Sequence, residues 1–260
     1  MSTTHRGPAE SNGAHSVDRA ITVLEIIAGL GDASVSEVAT SVGMHRSTIS
    51  RLLAVLEKRG MVQVAGARGR YRLGPNILRL ASAVSTPLDV SVQGADICEQ
   101  LAMDLGETIN IAITLGDSAV NVYQASGPGA ITVNNWVGRP TPLHATSSGK
   151  VLLAWLDERA LDAVLDRRLE PFTAQTITDA NALRRQLAAA RVDGYAVTVG
   201  ELEDGLNAIA APVRGPGGEV IAALSASAPS YRLPPELMPQ NAAEVMRAAD
   251  RIGRRMGYLV

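Results

Sequence analysis

Apolar residues recur along the chain in runs whose period changes, and the period assigns the elements. In residues 16–29, SVDRAITVLEIIAG, Val17, Ala20, Ile21, Leu24 and Ile27 fall at three- and four-residue steps, which predicts one apolar stripe of a helix ending at Gly29. The next segment, SVSEVATSVG, opens with Ser34 and Glu37 in capping-box spacing, places Val35, Val38, Ala39 and Val42 on one face, and stops at Gly43. After a short turn, HRSTISRLLAVLEKRG turns Ile49, Leu52, Leu53 and Leu56 inward and leaves His45, Arg46, Ser47, Thr48, Ser50 and Arg51 largely outside. Two helices joined by a tight glycine-containing turn, the second bearing donors at its start, predict a helix-turn-helix whose second helix enters the major groove of DNA. Beyond Gly60, MVQVAGARGRYRLG alternates, breaks at AGARG, and resumes with Tyr71 and Leu73 facing one way and Arg70 and Arg72 the other, as in a hairpin wing. Arg68 at its tip and the two outward arginines are placed to meet phosphate or a narrow minor groove.

The rest of the chain mixes both periods. PNILRLASAVSTPLDV begins with Pro75 at a helix start and runs helically to Pro87, which is expected to end or kink it, so it is read as a linker helix. QGADICEQLAMDLGE fits another helix. TINIAITL then alternates strictly, with Ile109, Ile111, Ile113 and Leu115 on one face and Thr108, Asn110, Ala112 and Thr114 on the other, the pattern of a half-buried strand. A turn at Gly116 and Asp117 leads into AVNVYQ, and LNAIAAPV and EVIAALSAS flank the turn RGPGG as an antiparallel hairpin. Helical patterns in ERALDAVLDRRL, NALRRQLAAARVDG and AAEVMRAADRIGRRMG surround these strands. The expected class is α+β: residues 1–15 a disordered tail, 16–74 a winged helix-turn-helix domain, 75–88 the linker helix, and 89–260 an α/β domain with one mainly antiparallel sheet.

Composition agrees with two folded domains. The 260 residues are 46% hydrophobic and 19% charged with 24 Gly and 13 Pro, which excludes a wholly disordered or collagen-like chain. The net charge of −2 hides a segregation. Residues 1–80 hold ten Arg or Lys against six Asp or Glu, and the remainder fourteen against twenty, so the two parts carry +4 and −6. Within residues 44–80 eight basic residues stand against Glu57 alone, the electrostatic footprint of phosphate binding. Cys98 is the single cysteine, and the histidines at 5, 15, 45 and 144 are scattered, so no disulfide, metal site or cofactor is expected. The first fifteen residues lack the apolar stretch of a signal peptide, and no apolar run approaches the roughly 20 residues that span a bilayer. A cytoplasmic protein is expected.

The most chemically suggestive segment is HATSSGK, residues 144–150, before the apolar VLLAWL. It fails as a phosphate loop, which needs Gly where His144 stands and Ser or Thr where Val151 stands. Ser147 and Lys150 have the Ser-x-x-Lys spacing of a penicillin-recognising hydrolase, though neither SDN nor KTG occurs. The alternative function is therefore a serine acyl-transfer enzyme using Ser147 and Lys150, with an accessory winged helix. A third reading is a helix start whose free N–H groups and hydroxyls hold a small anion, and the plainest is N-capping by Ser147 or Ser148. In the later strand Ser225 and Ser227 alternate onto the face of Ile221 and Ala223, either beside apolar surface awaiting a ligand or bonded to neighbouring backbone. Trp136 and Trp155 read as packing residues, with Trp136 also able to line a ligand. Arg139 reads as surface, His144 as a structural hydrogen-bonding group, and Cys98 as a small buried side chain.

SVDRAITVLEII, SVSEVATSVGMHRSTISRLLAVLEKRG and the wing ending YRLG resemble the DNA-binding domain of the IclR family of bacterial transcriptional regulators. LHATSSGKVLLAWL, GYAVTVGELEDGLNAIAAPV and LSASAPSYRL are similar to that family's effector-domain signatures, in the expected order. The resemblance implies a DNA-binding regulator rather than an enzyme, a GAF-like effector fold, a homodimer with a tetramer as the larger assembly, and a small organic, carboxylic acid as effector. It implies operator contacts from His45, Arg46, Ser47, Thr48, Ser50, Arg51, Arg68, Arg70 and Arg72. Carried across by position, it implies an effector site touching Val133, Thr141, Ser147, Ser148, Thr198, Ala208, Ser225 and Ser227. Some relatives carry an acid at the Thr198 position and a larger thiol at Ala208, which implies a pocket of different polarity and volume.

Overall fold

The computed structural model describes residues 10–65, 69–81, 87–128 and 135–258, and divides into two compact units, Met1–Val84 and Ser85–Val260.

The first unit opens with α1 (Glu10–Leu30), β1 (Ala33–Ser34), α2 (Val35–Val42) and α3 (Arg46–Lys58). Helix α1 starts inside the segment expected to be a tail. Its apolar residues are too many for one narrow stripe: Val23 and Ile27 enter the core, whereas Val17 and Ile21 stay exposed, contrary to the single stripe expected. The capping box forms at α2, where Ser34 Oγ accepts from the Glu37 N–H at 3.3 Å and the Glu37 carboxylate accepts from the Ser34 N–H at 2.7 Å. Gly43, at φ 69°, ends the helix in the left-handed region that glycine adopts without strain and turns the chain into α3. Strands β2 (Val62–Ala65) and β3 (Arg70–Leu73) form the wing, and β1 adds a third antiparallel strand in the order β1-β3-β2. Ile49, Leu53, Leu56, Val38 and Val62 close the core with Val23 and Ile27. Helix α4 (Pro75–Ala81) follows, starting at Pro75 as the sequence predicts.

In the second unit α5 (Pro87–Leu105) begins at Pro87, a residue suited to a helix's first turn. The order continues β4 (Thr108–Leu115), β5 (Ser118–Ser126), β6 (Pro140–Pro142), α6 (Ser147–Ala154), α7 (Glu158–Leu165), α8 (Ala180–Asp193), β7 (Ala196–Val199), β8 (Leu206–Arg214), β9 (Val220–Pro229) and α9 (Met238–Arg255). The six strands form one antiparallel sheet in the order β6-β5-β4-β9-β8-β7. Helices α5 and α9 cover one face through Ile97, Leu101, Ile109, Ile111, Leu224, Val245 and Ile252. Helix α6, backed by α7 and α8, covers part of the other through Val151, Leu153, Leu161, Leu183, Leu187 and Ala223. Strand β4 is consequently buried on both faces from Thr108 to Ile113, not on one as its alternation suggested, because it lies inside the sheet with helices above and below.

Two bulges shift the side-chain faces. Val213 pairs with Ala222 and Arg214 with Val220, so Ile221 is an extra residue and packs with the α5–α9 cluster, off the face of Ala223, Ser225 and Ser227 where alternation had placed it. Ile111 pairs with Tyr123 and Ala112 with Asn121, which makes Val122 the extra residue of β5. No described helix is long and apolar enough to cross a membrane.

Candidate DNA-binding face and ligand pocket

The exposed side of α3 begins at His45, whose side chain makes no capping hydrogen bond, so the helix's positive end is left to a partner. Arg46, Ser47, Ser50 and Arg51 are exposed beside it, and Thr48 is half-buried. Arg46 also donates to Ser36 Oγ on α2, tying the two helices at the proposed groove face. The first turn of α3 contains no acid. A partner with closely spaced negative charges fits this end of the helix.

The wing arginines separate. Arg72 is exposed. Arg70 is half-buried and engaged: Nε donates to Asp32 Oδ1 at 2.6 Å, Nη2 to the Asp32 carbonyl at 3.0 Å, and Nη1 lies 3.1 Å from Glu37 Oε2. Hydrogen bonding to Asp32 holds its guanidinium pKa above the usual value. Arg70, expected beside Arg72 as an outward phosphate contact, is engaged here by two carboxylates placed by the turn before β1 and by α2. Arg68 lies outside the described residues.

In the second unit a cavity of about 580 Å³, mouth included, opens between the sheet and the amino end of α6. Thr141, Ser147, Ser148, Thr198, Ala208, Ser225 and Ser227 all line it; Val133 lies outside the described residues. Sequence reasoning missed Asn110, Asn121, Ala145, Thr146, Leu202 and Leu206, which complete the wall with Trp136. The alternation of TINIAITL already set Asn110 apart from the isoleucines, and only the half-buried reading of β4 hid it. Asn121 had no such signal, since the bulge at Val122 is what brings it to the pocket face opposite Ala112.

The helix start is built differently from either serine cap. Thr146 is the N-cap: its hydroxyl accepts from the Gly149 N–H at 3.1 Å and donates to the Pro142 carbonyl at 2.9 Å. Ser147 and Ser148 are thereby released from capping, buried in the first helical turn and facing the cavity. Thr141 spends its hydroxyl on the Ala119 carbonyl at 2.9 Å. Asn110, 4% exposed, leaves its buried Oδ1 without a hydrogen-bond partner. The described walls carry no charged residue, so an anion here is met by a helix end, hydroxyls and amides.

Lys150 does not join Ser147. Its Nζ lies 2.6 and 2.7 Å from the two Glu201 carboxylate oxygens and 2.7 Å from Gln186 Oε1, with the Val197 carbonyl at 3.4 Å. Burial lowers the ammonium pKa, opposed by the charge and hydrogen bonds of Glu201. Three donors committed to these acceptors leave none for a serine, and the acyl-transfer alternative loses its base. His144 Nε2–H donates to the Glu170 carbonyl at 2.9 Å, as a structural group. The Arg214 guanidinium stacks over Trp155 at 5.3 Å, and buried Cys98 has its thiol pKa pushed up to about 12. Among the described residues no cluster of His, Cys, Asp and Glu suits a metal.

A winged helix with a basic, uncapped helix end, joined in one chain to a domain with an uncharged polar pocket, defines a class: a helix-turn-helix transcriptional regulator with a ligand-binding domain. Comparison with known proteins makes the class specific. The IclR helix-turn-helix domain matches residues 16–66, and the bacterial transcriptional regulator IclR C-terminal domain matches residues 82–254. HTH-type transcriptional regulator Rv1719 of Mycobacterium tuberculosis (strain ATCC 25618 / H37Rv) is 40% identical over 223 residues, 85% of each chain. HTH-type transcriptional repressor AllR of Klebsiella pneumoniae is 33% identical over 252 residues, 96% of this chain and 93% of that one. Among solved structures, the Thermotoga maritima IclR matches with a TM-score of 0.77 at 28% identity, covering 94% of this chain and 100% of that one. An IclR homolog from Microbacterium hydrocarbonoxydans complexed with 4-hydroxybenzoate matches with a TM-score of 0.80 at 27% identity, covering 93% and 98%. The chain belongs to the IclR family of bacterial transcriptional regulators.

Proposed function

We propose that the protein acts in the cytoplasm as a homodimer, or a tetramer built from dimers, on a near-palindromic operator, and that a small carboxylic acid in the second-unit pocket shifts its operator affinity. The observation that carries the ligand reading is the amino end of α6: Thr146 does the capping, so Ser147 and Ser148 face an uncharged cavity with Ser225, Ser227 and Thr198 opposite. A carboxylate there meets the positive helix end and hydroxyl donors, and its apolar part meets Trp136, Leu202 and Leu206. That a relative binds 4-hydroxybenzoate supports an acid of this kind. Operator contact is assigned to His45, Arg46, Ser47, Thr48, Ser50 and Arg51 of α3 and to Arg72 and Arg68 of the wing. One winged helix reads few base pairs, which favours paired half-sites.

Gel shifts with promoter fragments test the DNA half: specific complexes that weaken steeply with salt are expected, and Arg46→Ala and Arg51→Ala each weaken them in a folded protein. Calorimetry with keto, hydroxy and aromatic acids tests the other half. The double variant Ser225→Ala/Ser227→Ala is expected to bind the acid more weakly while retaining effector-free operator affinity; wild-type titrations for that variant overturn the placement of the pocket.

A further inference from the structure

The Lys150–Glu201 pair is among the most deeply buried features of the second unit, with side chains 1% and 7% exposed, yet neither residue lines the ligand pocket. Each is tied in sequence to residues that do. Ser147 and Ser148 precede Lys150 on α6, and Leu202 follows Glu201.

Glu201 is the second residue of the segment between β7 and β8, residues 200–205, which starts at Gly200 and ends at Gly205, both at positive φ, 64° and 78°. Its outer side is fastened through the backbone. The Thr173 hydroxyl donates to the Gly200 carbonyl at 2.7 Å, the Thr176 hydroxyl donates to the Glu201 carbonyl at 2.6 Å, and the Gly200 N–H reaches the Leu206 carbonyl at 3.0 Å. Toward α6, the fastening described is the carboxylate of Glu201 on Lys150. A second pocket is lined by Lys150 together with Gln186, Tyr195, Val197 and Met238, and the ammonium is held there by its hydrogen bonds to Glu201 and Gln186.

Stability gives little reason for such a pair. Taking two charges out of water offsets much of their attraction, and apolar side chains of similar volume in their place are often neutral or stabilising. What an ion pair with three satisfied donors does supply is a fixed geometry, which apolar packing beside a cavity does not.

We propose that Lys150 and Glu201 are positioning residues for the ligand pocket, a buried strut that holds residues 200–205, and with them Leu202, at a set distance from the amino end of α6. The strut rests on the reading of this cavity as the effector site for its consequence in binding, but not for its effect on the segment itself.

The test uses the full-length protein carrying Lys150→Met with Glu201→Leu, and separately Glu201→Gln, which keeps the shape and removes the counter-charge. Three readouts are compared with wild type and with Ser225→Ala/Ser227→Ala: thermal stability, hydrogen exchange of the peptide covering residues 200–206 without ligand, and calorimetric affinity for 4-hydroxybenzoate and a set of keto and hydroxy acids. The strut predicts that the apolar double variant melts within a few degrees of wild type, exchanges this peptide at least tenfold faster, and binds the acids at least tenfold more weakly. A purely structural pair would change melting without the other two. If the double variant fails to fold, Glu201→Gln carries the same expectations for exchange and affinity. Wild-type exchange of the peptide in a folded variant overturns the strut. Acid binding absent from wild type, with exchange still accelerated in the variants, overturns the effector reading and leaves the strut supported. The serine variant is expected to lose affinity with exchange unchanged.

Discussion

Arg70 and Arg72 stand two positions apart on β3 and meet different surroundings. Arg72 is exposed on the wing, free to approach a phosphate, and each such contact adds a counterion-release contribution to DNA binding. Arg72→Ala is therefore expected to weaken binding to all sequences and to flatten the plot of log affinity against log salt by about 1. Arg70 bridges Asp32 and Glu37, so Arg70→Ala leaves two carboxylates without their cation and loosens the join of β3 to the start of α2. Its expected signature is faster hydrogen exchange of the β2 and β3 amides with the salt slope unchanged; a flattened slope equal to that of Arg72→Ala would return Arg70 to the phosphate contacts. The pair also marks how far residue-level reading reaches. Alternation put both side chains on one face, correctly, but the partner acids lie 38 and 33 positions away for Arg70, beyond any local pattern. The pocket repeats the lesson. Ser225 and Ser227 were legible because a regular strand holds them, whereas Asn121 depends on a bulge that the letters SAVNVYQAS do not announce.

At the scale of elements, periodicity located most helices and strands of both units but not β1, β6 or β7, and it erred where an element's surroundings decide its faces. Helix α1 has more apolar positions than its neighbours cover, and β4 has a polar face that its neighbours bury. Strand β1 is two residues long, too short for any period, and exists because β3 offers it an open edge. Packing between elements also explains two glycines. A Cβ on Gly149 would overlap the Leu143 backbone carbonyl, so the first turn of α6 sits against residue 143 only with glycine there. A Cβ on Gly94 of α5 would instead meet the terminal methyls of Ile111 and Ile252, the far ends of side chains rather than backbone. Alanine in a helix interior is favoured over glycine by about 1 kcal/mol, against an overpacking cost of roughly 1–3 kcal/mol. Gly94→Ala is therefore expected to change stability little in chemical denaturation. Gly149→Ala is expected to lower it by about 1–3 kcal/mol and to weaken acid binding, because the displaced turn carries Ser147 and Ser148. Equal stability of the two variants would mean that α6 is free to shift on the sheet.

At the scale of the molecule, the near-neutral total of 24 basic and 26 acidic residues is an average over two units with separate cores and opposite charge. The basic excess collects where operator DNA is proposed to lie, and the ligand pocket sits in the acidic part, lined without charge. A link between the two is measured as a thermodynamic coupling. A ligand that binds only the native second unit stabilises it by about 2.7 kcal/mol at a hundredfold excess over Kd. It changes operator affinity only as far as it binds the two DNA-related states unequally. Linkage makes this reciprocal: if the acid lowers operator affinity by some factor, operator duplex lowers acid affinity by the same factor, typically about 5–150-fold. Calorimetric titration of the acid into free protein and into protein saturated with operator, beside gel shifts across the same acid concentrations, measures both factors. Agreement between them is expected. Acid affinity unmoved by operator, while the gel shifts still report release, would mean that release comes from something other than occupancy of this pocket.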